Sequence, residues 1–266
     1  MVSIALFMEK GYACLEPSDI RFLRSKQISR CPYFGVVRSS PCYWSRTRAG
    51  VVLSAMPDSD IILATRIAGD LAIDARHSSA RWAHAEPVRF SADWQGKNAD
   101  PQLETEVRIL WSPQILYVRF ACRYRELFVF PDSDPNGRRD HLWDRDVAEA
   151  FLQPPPSMGK NYKEFEVAPN GMWIDLDIHP NGLADLKSGL TRSVHLDPSR
   201  KNWVAEVAIP MNSLTSHFDP AQPWRTNFYR VEGNAEPRRY MAWQATNTPE
   251  PQFHVPERFG RLRFEG

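Results

Sequence analysis

The chain has 266 residues, 42% of them hydrophobic and 24% charged, enough apolar material for one sizeable globular domain with an appendage. Its formal charge of +1 divides unevenly: residues 1–55 hold eight Lys/Arg and three Asp/Glu, a local net of +5, which leaves −4 on the remainder. A mildly acidic body lacks the clustered cations that phosphate contacts need, which argues against nucleic acid as a partner; no run of eighteen apolar residues offers a membrane span.

Taken in order, residues 1–56 alternate short apolar scraps with Arg and Ser, without sustained periodicity, and read as a poorly ordered N-terminal extension. The apolar run 1–8 has no basic leader and no small-residue cleavage site, so it does not read as a signal peptide. No compartment follows, and the cytoplasm stands as the default. Better-patterned sequence opens after Met56, which is therefore an alternative start, and the domain is expected over residues 57–266. Residues 61–66 read as a first strand, 79–85 as a short helical turn carrying Trp82, and 88–90 as an edge strand. Residues 104–111 put Val107, Ile109 and Trp111 on one face, and 115–122 answer them across Ser112-Pro113-Gln114 as a hairpin. In that second strand Cys122 alternates with Leu116, Val118 and Phe120, as a small buried hydrophobe would. The other cysteines, Cys14, Cys31 and Cys42, form no metal-type spacing, and the seven histidines form no HxH or HExxH pair.

The most informative stretch is 142–171, LWDRDVAEAFLQPPPSMGKNYKEFEVAPNG. Residues 147–152 and 162–167 are strand-like, and Pro154, Pro155, Pro156 and Gly159 between them belong in a loop, which makes a long hairpin. If the first strand reaches back to Trp143, the period of two puts Trp143, Val147, Glu149 and Phe151 on one face. A flat ring beside a hydrogen-bond acceptor suits a sugar. Further strands are expected at 173–178, 203–209, 224–231, 239–243 and 261–264, with a Gly/Ser/Asp-rich connection between the first two. About ten short strands, 22 Pro, 13 Gly and almost no helical periodicity predict an all-β antiparallel sandwich, immunoglobulin-like or jelly-roll-like, closed by its first and last strands.

The run Trp143-Asp144-Arg145-Asp146 with Val147, Glu149 and Phe151, then Tyr162, Phe165-Glu166-Val167 and Asn170-Gly171, resembles carbohydrate-binding modules of family 9 and their DOMON-like relatives. The segments 203–210 (WVAEVAIP), 238–243 (RRYMAW) and 259–262 (FGRL) fit the same order, so the resemblance spans roughly residues 61–266. It implies non-catalytic saccharide binding in the service of polysaccharide or glycoside breakdown, with a glycoside hydrolase as partner. In that family the sugar lies between two tryptophans with a carboxylate close after the first. Trp143 and Glu149 match those positions, Trp243 is the match for the second wall, and Arg239 is taken as a further sugar contact. One departure stands out: the second strand carries Glu166 where sugar-binding members tend to carry a basic or polar contact.

Three other chemistries find candidate residues in the chain. Asp132-Ser133-Asp134-Pro135-Asn136-Gly137 copies the first half of a calcium loop, making Asp132, Asp134 and Asn136 candidate calcium ligands, but position twelve is Trp143 rather than a bidentate glutamate. Asp144, Asp146, Glu149, Glu164 and Glu166 offer the paired carboxylates a glycosidase needs, although the resemblance is to modules that accompany hydrolases. DOMON-like sandwiches also hold haem, for which Met158, Met172, Met211 and Met241 are the available methionine ligands. A ligand-free sandwich serving protein interaction is the remaining alternative.

Overall fold

The computed structural model describes residues 60–131, 134 and 137–266. The expected N-terminal extension, and Asp132 and Asn136 of the calcium-like loop, lie outside the described residues. The strands are β1 (Ile61–Arg66), β2 (Val88–Phe90), β3 (Thr105–Trp111), β4 (Ile115–Arg123), β5 (Val147–Gln153), β6 (Tyr162–Val167) and β7 (Trp173–His179). They continue with β8 (Gly182–Asp185), β9 (Thr191–Asp197), β10 (Asn202–Pro210), β11 (Trp224–Glu232), β12 (Arg239–Ala242) and β13 (Gly260–Glu265). Their hydrogen-bonded order is β8-β7-β6-β5-β11-β13-β1-β3-β4-β10-β9, with β12 added to β11 and β2 to β3.

This continuous sheet curls so that its two halves face each other, which is the sandwich the alternating sequence predicts. The alternation decides which residues meet. Ala148, Ala150 and Leu152 of β5, Phe165 and Val167 of β6 and Phe228 of β11 share one core with Val107 and Ile109 of β3, Val118 and Phe120 of β4, and Trp203 and Val207 of β10. Burying such a set in one layer supplies most of the driving force for folding, at roughly 1.5–3 kcal/mol per large side chain. Each half is also covered on its outer face. Trp82, on the short 3-10 turn Ala80–His84, packs with Leu71, Leu110 and Tyr117 over β3 and β4. Val147 and Phe151 of β5, Tyr162 of β6, Ile174, Leu176 and Ile178 of β7 and Tyr229 of β11 form a second outer cluster beneath Phe253 and Phe259. Every residue of β5 is therefore buried.

The first and last strands pair with each other, Ile61 opposite Arg261 and Ile62 opposite Leu262, but in the middle of the strand order, where they join its two halves; they run parallel, and β1 is parallel to β3 as well. Parallel pairing needs a long connection; the segment between β1 and β3 supplies it and carries Trp82 back over the outer face. The connection expected to be irregular after β7 instead forms β8 and β9. All four residues of β8 are exposed and β9 is mostly half-buried at the sheet edge, so neither shows the apolar alternation that announces a strand. Cys122 is fully buried among core residues, and that burial pushes its thiol pKa up, as an inert hydrophobe requires. Among the described residues no helix is long and apolar enough to cross a membrane.

Candidate functional site

The outer face of the β5–β6 hairpin carries the site. Because side chains alternate, Glu149 points outward between Val147 and Phe151, and Glu164 and Glu166 point the same way from β6. Glu149 stands directly opposite Glu166 across the strand pair. Pro154 to Asn161 loop out between the strands, and Gln153 holds the loop by donating from Nε2 to the carbonyls of Gly159 and Asn161 at 2.8 and 3.2 Å. Trp143 is not part of the strand. It sits in the 3-10 turn Leu142–Asp144, yet it is half-buried against the outer cluster and reaches the same space as Glu149.

These residues line a cavity of about 220 Å3. Its walls add Arg238, just before β12, Tyr240 of β12, and Gln252, Phe253 and His254, from the irregular segment before β13. Arg238 donates from Nη1 to the Trp143 carbonyl at 2.5 Å and is paired with Glu236 at 2.9 Å, while its guanidinium lies over the Tyr240 ring, 5.1 Å from the centroid. Tyr240 donates in turn to Glu236 at 2.5 Å. Hydrogen bonds from Tyr240 and Arg238 hold Glu236 down to about 2, and burial with the Glu236 bond pushes Tyr240 up to about 12. The result is a locked cluster that fixes the Tyr240 ring as a wall. On the other side His254 Nδ1 lies 2.6 Å from the Tyr162 hydroxyl and 3.9 Å from Glu164. Leu183 of β8 is an exposed apolar side chain at the rim.

The floor is acidic. Glu149, Glu164 and Glu166 are 2%, 3% and 2% exposed, and each has a carboxylate oxygen within 4.8 Å of the others. Burial pushes all three up, Glu149 and Glu166 strongly, and repulsion from Glu164 adds to the rise of Glu149. Repulsion from both neighbours adds to that of Glu166.

Of the residues singled out in the sequence, Trp143 and Glu149 line the cavity, as do Glu164 and Glu166 from the wider carboxylate set. Trp243 does not line it. Its ring packs against the inner core, 5.6 Å from Phe228 and over Gly260, where any added Cβ would meet it at 2.7 Å. The reason is strand parity: Met241 faces the inner core and Trp243 packs there too, whereas Tyr240 and Ala242 face the outer cluster. Arg239 also turns away, standing opposite Glu232 at the edge with its side chain half exposed, 4.0 Å from Asp100. Asp146 is buried in the core beside Arg230 at 3.9 Å and accepts from the Gly233 amide at 2.8 Å; it takes no part in the cavity. Met172, Met211 and Met241 fill core positions, and Met158 lies exposed on the loop between β5 and β6. The Asp134 carbonyl accepts from the Gly137 amide at 2.8 Å.

A family model described as carbohydrate family 9 binding domain-like matches residues 73–266, which includes every wall of this cavity. The chain belongs to that family. Its members are non-catalytic carbohydrate-binding modules, which removes the glycosidase reading of the carboxylates. A curated relative from Arthroderma benhamiae, named as an extracellular protein, is 25% identical over 183 residues, covering 62% of this chain and 80% of its own. Among solved structures, one from Bacteroides uniformis aligns with a TM-score of 0.64 at 16% identity, over 77% of this chain and 99% of that one. A family 9 module from Caldicellulosiruptor kristjanssonii in complex with cellotriose aligns at 0.56 and 18% identity, over 77% and 94% of the two chains. Its complex with glucose aligns at 0.55 and 17%, over 77% and 96%. At these identities the structural likeness establishes the sandwich fold.

Proposed function

We propose that the cavity between Trp143 and Tyr240 binds the end unit of a saccharide, the ring of Trp143 stacking on the sugar C–H face and the floor carboxylates meeting its hydroxyls. The observation that carries this reading is the pairing of two aromatic walls with a buried polar floor in one small cavity. Flat apolar faces and hydroxyl edges are what a pyranose presents, and rigid aromatics hold it with little loss of side-chain entropy. At about 220 Å3 the cavity falls below the range of drug-sized pockets, about 300–1,000 Å3, which fits one sugar ring with the rest of a chain left outside. The relatives solved with cellotriose and glucose make a glucose-type unit the first ligand to try. A separate glycoside hydrolase, held near its substrate by this module, is the partner such a role calls for.

Calorimetry with glucose and cellotriose tests the reading. Binding by the parent, lost in a folded Trp143→Ala variant and retained in a Trp243→Phe variant, is the expected result. Equal affinity in parent and Trp143→Ala would place the saccharide elsewhere.

A further inference from the structure

We propose that Glu149, Glu164 and Glu166 form a site for a hard divalent cation of the calcium class at the floor of this cavity, and that the remaining coordination positions open toward the bound saccharide. The inference rests in part on the saccharide reading of the cavity, and deepens it.

The first observation is convergence: three carboxylate oxygens, one from each residue, lie within 4.8 Å of one another. Two oxygens on opposite sides of calcium stand about 4.6–5.2 Å apart, twice the metal–oxygen distance, whereas around magnesium that limit is about 4.2 Å. Three oxygens within 4.8 Å of one another fall inside the calcium limit. The set contains only oxygen donors, which favours a hard cation over zinc or copper.

The second observation is independent of the clustering. Glu166 is 2% exposed and lines the cavity, and its carboxyl meets that of Glu164 in a hydrogen bond that exists only while one of the two holds a proton; with all three acids ionised, neither oxygen of Glu166 nor Oε2 of Glu164 receives one. An unpaired buried carboxylate is heavily penalised, and like charges placed directly opposite on paired strands add to the penalty. The cations nearby are already committed. Arg238 is held by Glu236 and the Trp143 carbonyl, and His254 Nδ1 is engaged with the Tyr162 hydroxyl at 2.6 Å, standing farther off, 3.9 Å, from Glu164. A dication among the three acids supplies the missing countercharge. Three protein oxygens leave three to five positions of a six- to eight-coordinate calcium shell, which vicinal sugar hydroxyls and water can fill.

The experiment uses the full chain, stripped with chelator, and reads metal alone before any sugar is added. Calcium titrated by calorimetry should bind, and terbium in its place should show luminescence sensitised by Trp143, which Trp143→Phe dims without changing the calorimetric stoichiometry. Glu166→Gln and Glu164→Gln are near-isosteric and remove an uncompensated buried charge, so both should fold by circular dichroism while losing one bound ion per chain or weakening it at least tenfold. An unchanged stoichiometry and affinity in both variants would overturn the site, as would a parent that binds no ion there. Glucose or cellotriose affinity should then fall at least tenfold in chelator; equal affinity with and without the ion overturns the bridging role. Loss of the ion in Glu166→Gln together with no saccharide binding under any condition would instead keep the metal site and reject the saccharide reading. Tight binding of glucosamine to the stripped protein, displaced by neither calcium nor terbium, would show that an ammonium group is the countercharge and would also overturn it.

Discussion

Acidification from pH 7.5 to 5 in the presence of chelator should stabilise this protein, the reverse of the usual behaviour of carboxylate-rich domains. Asp146 supplies the magnitude. Burial raises its pKa to about 6 against an ordinary 3.8, only partly offset by Arg230. The folded state thus binds a proton that the unfolded state releases between these values. Stability must then rise as pH falls through 6, reach its full increment below 3.8, and be absent above about pH 7. At 1.36 kcal/mol per pH unit the full increment is about 3 kcal/mol, of which roughly 1.4 kcal/mol is realised by pH 5. Glu149, Glu164, Glu166 and Glu232 are all raised for the same first reason, burial, and act in the same direction. The acids held low by partners, such as Asp60 by Arg261 and Glu236 by Tyr240, lose their stabilisation only as pH falls through the ordinary carboxylate range and below. For a domain of about 200 residues each kcal/mol moves Tm by about 2–4 °C, so Asp146 alone predicts a rise of about 3–6 °C by pH 5. Thermal melts followed by circular dichroism at several pH values would measure it. A midpoint that is flat or falls between pH 7.5 and 5 refutes the reasoning.

Glu166→Gln should raise Tm at pH 7.5 in chelator, by about 2–6 °C, because it removes an unpaired buried charge, whereas in saturating calcium the same substitution should lower Tm relative to the parent; differential scanning calorimetry in both buffers decides it. Trp143→Ala should abolish measurable saccharide binding, and Tyr240→Ala should weaken it by more than about 1 kcal/mol while leaving the fold intact, as titration calorimetry with cellotriose can establish. Gly260→Ala places a methyl 2.6 Å from the Asp60 carbonyl and 2.7 Å from the Trp243 ring, so it should destabilise by about 1–3 kcal/mol, read from urea midpoints. Removing residues 1–55 should leave the urea midpoint of the remaining chain unchanged; a clear drop would mean that this segment contributes to the fold.

The strands that could be read from the sequence were those with one face in the core. β3 and β4, with Val107, Ile109, Val118 and Phe120 facing one layer, and β5 and β6, split by three consecutive prolines, carried period-two patterns that sterics alone explain. β8 and β9 bury little, so nothing in their composition marks them. The parallel pairing of β1 with β13 joins segments about 200 residues apart, and period-two patterning is the same for either direction. At the site, Trp143 and Glu149 were reached by a route only half right: the strand begins at Val147, and the turn, not the pleat, brings Trp143 alongside. Tyr240 and Trp243 have opposite parity in one short segment, so the choice of Trp243 by resemblance falls on the face away from the cavity. Gln252 and His254 come from irregular chain with no periodicity to betray them.

The glutamates acquire their meaning from where β5 and β6 lie. An acid on an exposed strand or loop relieves repulsion by turning into water, and its charge then says nothing about a ligand. Here β5 is buried on both faces, pairs with β11 along its whole length and with β6 from Ala148 to Leu152, so Glu149 is fixed to backbone that cannot move without opening both the inner core and the outer cluster. Glu166 is fixed opposite it by the same register. In this register Glu166, the departure visible in the sequence, adds a third carboxylate to the pair formed by Glu149 and Glu164. Such a floor can exist only with protons or a cation on it. Near neutral pH the proton solution weakens as pH rises, while a cation gains at the same time because it no longer competes with protons. The calcium dependence of binding should therefore steepen from pH 5.5 to 8, and calorimetric calcium affinity that is constant across that range would contradict a site built from these three acids.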